Sequence, residues 1–162
     1  MIQLRSATRS DEAALGRLGA ALMRQHHASD PRRFILTERP EAGYGRFLLS
    51  IVDDPEYFLR VAERSNEVVG YVFAGVEDTS WRDLRGPCGF IHDVYVAEGE
   101  RQQGTGRALL DAAIEWARSR GRSQIVLWSK SGNEAAQRLF ASLGFRQTMV
   151  EMTLDREPSR DG

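Results

Sequence analysis

Ile2 and Leu4 alternate with Gln3 and Arg5 at the start of the chain, which predicts a short strand. Thr8 and Asp11 stand at the spacing of a helix-capping box, and Leu15, Leu18 and Leu22 then recur at helical intervals. From 25 to 39 no period holds, and the segment reads as a loop. Arg39-Pro40 opens a second helix reaching about 53, with Phe47, Leu48 and Ile51 inward and two weak helix formers, Gly43 and Gly45, inside it. Beyond Pro55, residues 57–62 and 68–76 read as two strands joined by the turn Arg64-Ser65-Asn66.

A polar loop over 78–86 carries Trp81 and Arg85. Residues 89–96, rich in β-branched and aromatic side chains, predict another strand. The clearest helix spans about 104–120, with Leu109, Leu110, Ala113, Ile114, Trp116 and Ala117 on one face and Gly121 placed to end it. Residues 124–129 form an apolar strand. Asn133 can cap a further helix lined by Ala136, Leu139, Phe140 and Leu143, which Gly144 ends. In the last segment, 145–154, the apolar Val150, Met152 and Leu154 alternate as in a strand. The order β-α-α-β-β-β-α-β-α-β predicts one α/β domain with a mixed sheet over 1–155, followed by a polar tail over 156–162.

Composition narrows the function classes. The 162 residues are 41% hydrophobic and 28% charged, ordinary for a globular domain, and the net charge is −1. Such a balance does not point to nucleic acid or to a membrane surface. The single cysteine, Cys88, excludes an internal disulfide and a cysteine-built zinc site. The charged start MIQLRSAT is unlike a signal peptide, and no apolar run approaches membrane-spanning length. A cytoplasmic protein without a metal is therefore expected. His26 and His27 are adjacent, which does not suit the i, i+4 placement of helical metal ligands, and they read as solvated loop residues.

The segment with chemical content is Arg101-Gln102-Gln103-Gly104-Thr105-Gly106-Arg107, between a strand and the strongest helix. Its glycines allow a tight turn and close approach of a ligand, and the free N–H groups of a helix start favour phosphate. No Lys-Ser/Thr follows, so it is not a P-loop. The third glycine and first-strand position of the dinucleotide fingerprint are missing as well. Taken alone, the Gly-x-Gly pair equally suits a tight turn that binds nothing.

The flanks extend the motif. The run from His92-Asp93-Val94-Tyr95-Val96 through Arg101-Gln102-Gln103-Gly104-Thr105-Gly106-Arg107 to Ala108-Leu109-Leu110 resembles the acyl-CoA motif of the GNAT superfamily of N-acyltransferases. The run from Asn133 to Gly144-Phe145 resembles that family's N-x-x-A-x-x-x-Y-x-x-x-G-F segment. The two motifs cover roughly the C-terminal half of the chain. The resemblance implies a largely antiparallel, twisted mixed sheet of six to seven strands flanked by about four helices, with two central parallel strands splayed apart. It further implies a homodimer, an acetyl-CoA co-substrate, and direct transfer of the acetyl group to a primary amine of a small molecule or peptide.

Roles carry over residue by residue. The backbone of Val94, Tyr95 and Val96 would pair with the pantetheine arm like an added strand. The amides of Gln102, Gln103, Gly104, Thr105, Gly106 and Arg107 would hold the pyrophosphate, with Arg101 and Arg107 adding positive charge. Asn133 matches an asparagine that bonds the pantetheine arm, and a plain N-cap is compatible with that role. The Val94 amide would polarise the acetyl carbonyl. His92 matches a position at which some relatives carry the proposed base; a histidine bonded to backbone is its bland alternative. Asp93 could orient the amine or brace a turn. His92 and Asp93 both lie on the strand just before Val94, and their side chains are expected to point to opposite faces.

One position departs from the family. Phe140 stands where a tyrosine acid is frequent, and a phenyl ring has no proton to give. Tyr95, a water or an unassisted thiolate would have to substitute, with Phe140 packing near the sulfur or in the core. Cys88, ahead of the strand, is poorly placed for an acyl-enzyme. The acceptor would lie between 26–44, which offers Arg32, Arg33, Phe34, Arg39 and Tyr44, and 77–85, which offers Glu77, Asp78, Trp81, Asp83 and Arg85. The acidic residues suit a cationic amine, whereas the arginines suit a carboxylate or phosphate. A CoA-binding sensor on the same fold, its chemistry lost, is the alternative that Phe140 favours.

Overall fold

The computed structural model describes residues 1–156. Apart from Arg156, the polar tail expected at 156–162 lies outside the described residues. Strand β1 (Gln3–Ser6) leads through a single 3-10 turn (Arg9–Asp11) into α1 (Glu12–Ser29). There follow α2 (Pro40–Leu49), β2 (Tyr57–Arg64), β3 (Glu67–Glu77), β4 (Cys88–Val96), α3 (Thr105–Ser119), β5 (Ile125–Leu127) and α4 (Glu134–Ser142).

The local signals explain most of these boundaries. Thr8 and Asp11 form the capping box, the Thr8 amide donating to Asp11 Oδ2 at 2.8 Å. Arg5 donates to the same buried carboxylate at 2.8 and 2.9 Å, which holds the Asp11 carboxyl below the ordinary range. The resulting stability is present at neutral pH and lost as pH falls through that lowered value. Ser65 and Asn66 take left-handed φ values of 51° and 66°, the geometry of a tight hairpin turn between β2 and β3. Gly121 and Gly144 follow α3 and α4 with φ of 76° and 92°.

Three expectations need correction. Helix α1 continues to Ser29, so the loop expected from residue 25 starts later and His26 and His27 occupy the last turn. Helix α2 stops at Leu49, where the Ser50 hydroxyl donates to the Phe47 carbonyl at 2.6 Å and competes with continuation of the helix. The sheet has five strands among the described residues, in the order β1-β2-β3-β4-β5, rather than six or seven. Among the described residues the alternating segment 145–154 forms no ladder. Its Val150, Met152 and Leu154 are exposed, and ion pairs from Arg33 to Glu151 and from Arg32 to Asp155 tie the segment down instead. Alternation makes a strand possible, but the ladder needs a neighbouring edge.

The sheet separates two apolar layers. On one side Leu15, Leu18 and Leu48 of α1 and α2 cover Leu59, Val61, Tyr71 and Phe73. On the other, Leu109, Leu110 and Ala113 of α3 and Phe140 of α4 cover Val72, Ile91 and Val96. All strand pairs are antiparallel except β4 with β5, which run parallel.

Two irregularities in β4 position the site. The parallel ladder covers only Gly89 to Ile91 against Ile125 to Leu127, while β4 continues to Val96. The two strands therefore part company midway, as the resemblance implied. On the other edge, Phe73 faces Asp93 and Ala74 faces Ile91, so His92 is the extra residue of a β-bulge.

Candidate active site

The bulge decides which side chains meet. A regular strand would put His92 and Asp93 on opposite faces; the extra residue turns both toward α1 and α2, and both line one cavity. The expectation of opposite faces is overturned for that reason. The cavity holds about 450 Å³ and is walled by Tyr44, Phe47, Phe73, Phe90 and Trp128, with Glu77, Asp83 and Arg85 at one side. That volume suits a small molecule.

His92 lies between two phenyl rings, 4.8 Å from Phe73 and 4.7 Å from Phe90, both stacked. Its side chain keeps 31% of its surface open, and Nε2 is 3.9 Å from Glu77 Oε1. Burial lowers the His92 pKa, against the opposing pull of Glu77 and Asp93. The ring is therefore neutral at physiological pH and able to accept a proton.

Asp93 is braced by two tyrosines. Tyr44 donates to Oδ2 at 2.5 Å and Tyr71 to the same oxygen at 3.2 Å. Burial pushes the Asp93 carboxyl up, while the two hydroxyls pull it down. Both tyrosine hydroxyls are raised, by burial first and by the Asp93 charge second, so they remain donors. Tyr44 reaches this position because α1 carries no side chain at Gly19. A Cβ there would stand 2.0 Å from Tyr44 Cδ1.

The donor-side motif is built differently. Gly104 has φ of +82° and open space where a Cβ would point, and Gln102 has φ of 61°. The first backbone bond into α3 runs from Ala108 N to Gly104 O, so the amides of residues 102–107 have no backbone acceptor among the described residues. Thr105 Oγ1 is buried and likewise unpaired. Beyond Ile91, β4 has no ladder partner on its β5 side among the described residues, which leaves Val94, Tyr95 and Val96 as a strand edge open except at the Val96 carbonyl, which Arg101 meets. These features fit a phosphate-bearing, strand-like ligand: free donors, an orphaned hydroxyl and an unpaired edge.

Several expected ligand contacts are engaged within the chain. Arg101 Nε donates to the Val96 carbonyl at 2.9 Å, and its guanidinium lies 5.3 Å from the Tyr95 ring. Gln103 Oε1 accepts from Arg64 at 3.0 Å, and Arg107 donates to Ser142 Oγ at 3.3 Å. Asn133 caps α4 by accepting from the Ala136 amide at 3.3 Å. Phe140 is a core residue, buried beside Phe145 at 6.1 Å. Tyr95 does not line the cavity that holds His92. Cys88 is the first residue of β4 rather than lying ahead of it, is fully buried, and has its thiol pKa raised by burial, which disfavours the reactive thiolate.

From the two segments expected to line the acceptor site, the cavity takes Tyr44, Glu77, Asp83 and Arg85. Trp81 is 86% exposed and lies outside it. His26 and His27 bond through Nδ1 to the Leu22 and Phe34 carbonyls. Sequence reasoning missed Phe47, Phe73, Phe90 and Trp128 as walls. All four fall inside predicted elements, and only the way those elements pack together shows that they face one cavity. Among the described residues no group of three or more metal-ligating side chains occurs, and no helix is long and apolar enough to cross a membrane.

The sequence profile of the Acetyltransferase (GNAT) family matches residues 20–145. The chain belongs to this family. A mycothiol acetyltransferase from Thermobispora bispora is 38% identical over 103 residues, 64% of this chain and 34% of that protein. The chain thus spans about a third of that relative's length. Among solved structures, the tetramutant of the BH1408 protein from Bacillus halodurans superposes with a TM-score of 0.80 at 24% identity, covering 95% of this chain and 99% of that one. The aminoglycoside N-acetyltransferase AAC(6')-Iy, solved in complex with CoA, gives a TM-score of 0.75 at 16% identity, covering 98% and 96%. At these identities the structural likeness establishes the GNAT fold.

Proposed function

We propose that this single domain, residues 1–155, moves an acetyl group from acetyl-CoA to a primary amine of a small molecule or peptide. The observation that carries the reading is the β4 bulge, which sets His92 and Asp93 in one cavity directly before the unpaired edge at Val94–Val96. Acetyl-CoA would supply an activated acyl carbon with a thiolate leaving group. Its phosphates fit the free amides of residues 102–107, with Gly104, Gly106, Thr105, Arg101 and Arg107 around them, and its pantetheine arm fits the β4 edge beside Asn133 and Phe140.

Within that frame the residues divide the work. His92, neutral and with Nε2 near Glu77, takes the proton from the attacking amine. Asp93, held by Tyr44 and from behind by the buried Tyr71, orients the amine. The Val94 amide polarises the acyl oxygen. Tyr95 or a water returns a proton to the thiolate. The burial of Phe140 in the core argues for packing alone, and named relatives that are acetyltransferases lend nothing to a chemistry-free sensor.

We further place the protein in the cytoplasm as a homodimer. The exposed Met149, Val150, Met152 and Leu154, in a segment without a strand partner, support a self-contact. Release of free thiol from acetyl-CoA across a panel of amines tests the activity. Amine-stimulated release is expected. Tight acetyl-CoA binding with no stimulation by any amine would refute the transfer reading.

A further inference from the structure

The charges around the acceptor cavity resolve a conflict left open by the sequence. Arginines in both acceptor-side segments suggested an anionic substrate group, and neighbouring acids suggested a cationic one. Arg85 is the only guanidinium that lines the cavity among the described residues. It donates to Glu77 Oε2 at 2.5 Å, stands 4.0 Å from Asp83 and leans over the Phe90 ring at 5.9 Å. Only 15% of its side chain is exposed. Arg32 and Arg33 turn away to Asp155 and Glu151, and Arg39 does not line the cavity. A substrate carboxylate entering here would meet Glu77, Asp83 and Asp93 with no free cation to receive it.

The walls carry the second half of the argument. Phe47 and Trp128 are 48% and 76% exposed, yet both line the cavity. Trp128 stands edge-on to Phe90 at 5.4 Å, and Phe47 edge-on to Phe73 at 5.7 Å. Aromatic faces and edges offer stacking to a flat apolar group and attraction to an ammonium. Acidic groups beside them favour a cation over an anion through the local field.

We infer that the acceptor is an amine carrying an aromatic or similarly flat apolar body and no carboxylate or phosphate. This rests on the acetyltransferase reading of the same cavity. Exclusion of anionic amines works as negative selection by Glu77 and Asp83, while the aromatic walls supply the positive selection.

The test compares phenethylamine, phenylalanine and butylamine, each by thiol release and by calorimetric binding to the full chain. Phenylalanine differs from the first by one carboxylate, and butylamine by the ring. Phenethylamine is expected to exceed each of the others by at least about tenfold in kcat/KM and in affinity. Phenylalanine equal to or better than phenethylamine would overturn the charge argument. Butylamine equal to phenethylamine would overturn the aromatic one. In an Asp83→Lys variant the preference for phenethylamine over phenylalanine should shrink about tenfold, because a cation then faces the carboxylate; an unchanged ratio also counts against the inference. Binding in the expected order without thiol release would sink the transfer reading and with it the acceptor assignment, leaving only the cavity's preference among amines. Thiol release in the reverse order would uphold the transfer reading and overturn this inference.

Discussion

The two ends of the proposed reaction are built from different materials. The donor side consists of backbone: free amides over residues 102–107, a left-handed Gly104 and the unpaired edge of β4. The acceptor side consists of side chains drawn from α2, β3, β4, the loop after β3 and the residue following β5. A backbone site is specified by local spacing within one stretch of chain. A side-chain cavity is specified by which strands pair, and in what register.

That difference sets where substitutions should act. The largest effect is expected at Gly104→Glu. It forces a β-carbon into a left-handed conformation and brings a carboxylate to the phosphate donors, so acetyl-CoA affinity should fall by about a hundredfold or more. Isothermal titration with acetyl-CoA reads this, and an unchanged Tm would show that the loss is local. Gly106→Glu should act in the same direction with less backbone strain, since a Cβ there meets Leu139 and Val96 only at 3.6 and 3.8 Å. If either variant binds acetyl-CoA normally, the donor side is misplaced.

The next effect separates the two sides. Asp93→Asn should lower kcat/KM for the acceptor by about 10- to 100-fold, because the Tyr44 and Tyr71 donors lose their charged acceptor. Acetyl-CoA affinity should not change. Burial raises the Asp93 pKa, so keeping this carboxyl ionised costs folding stability above the ordinary carboxylate pKa. The variant should therefore melt no lower than the parent at neutral pH, and a large drop in Tm would show that the brace is structural instead.

Gly19→Ala probes the same brace from behind. The added methyl displaces the Tyr44 ring, at a cost of about 1–3 kcal/mol in stability by denaturant titration. It should also weaken acceptor turnover while sparing acetyl-CoA binding. The smallest effect is expected at Phe140→Tyr. The ring is buried in the α3 and α4 layer, so restoring the hydroxyl should change kcat by less than about twofold and cost about 1–3 kcal/mol of stability for an unpaired polar group. A large gain in kcat would mean that the position still faces the chemistry.

Legibility from the sequence follows the same division. The helices α3 and α4, the hairpin at Ser65-Asn66 and the tight glycine turn at Gly104 were readable because each depends on local spacing. The absence of the sixth strand was not, because Val150, Met152 and Leu154 carry the alternation yet pair with no strand among the described residues. The pairing of His92 with Asp93 in one cavity was not readable either. Period-two reasoning separates them, and only the register of β3 against β4 reveals the inserted residue. Arg101 adds a contact that its charge did not announce: its guanidinium latches the loop to the Val96 carbonyl.

The central claim is that the bulge delivers His92 as the base next to the donor edge. Its most direct test is the pH dependence of kcat/KM for thiol release, in the parent and in His92→Gln. Burial depresses the His92 pKa, so the parent should keep its rate as pH falls toward the ordinary histidine value and lose it only below, along an acidic limb. In His92→Gln that limb should vanish and the remaining rate should be lower across the range. A limb unchanged in the variant would contradict the assignment.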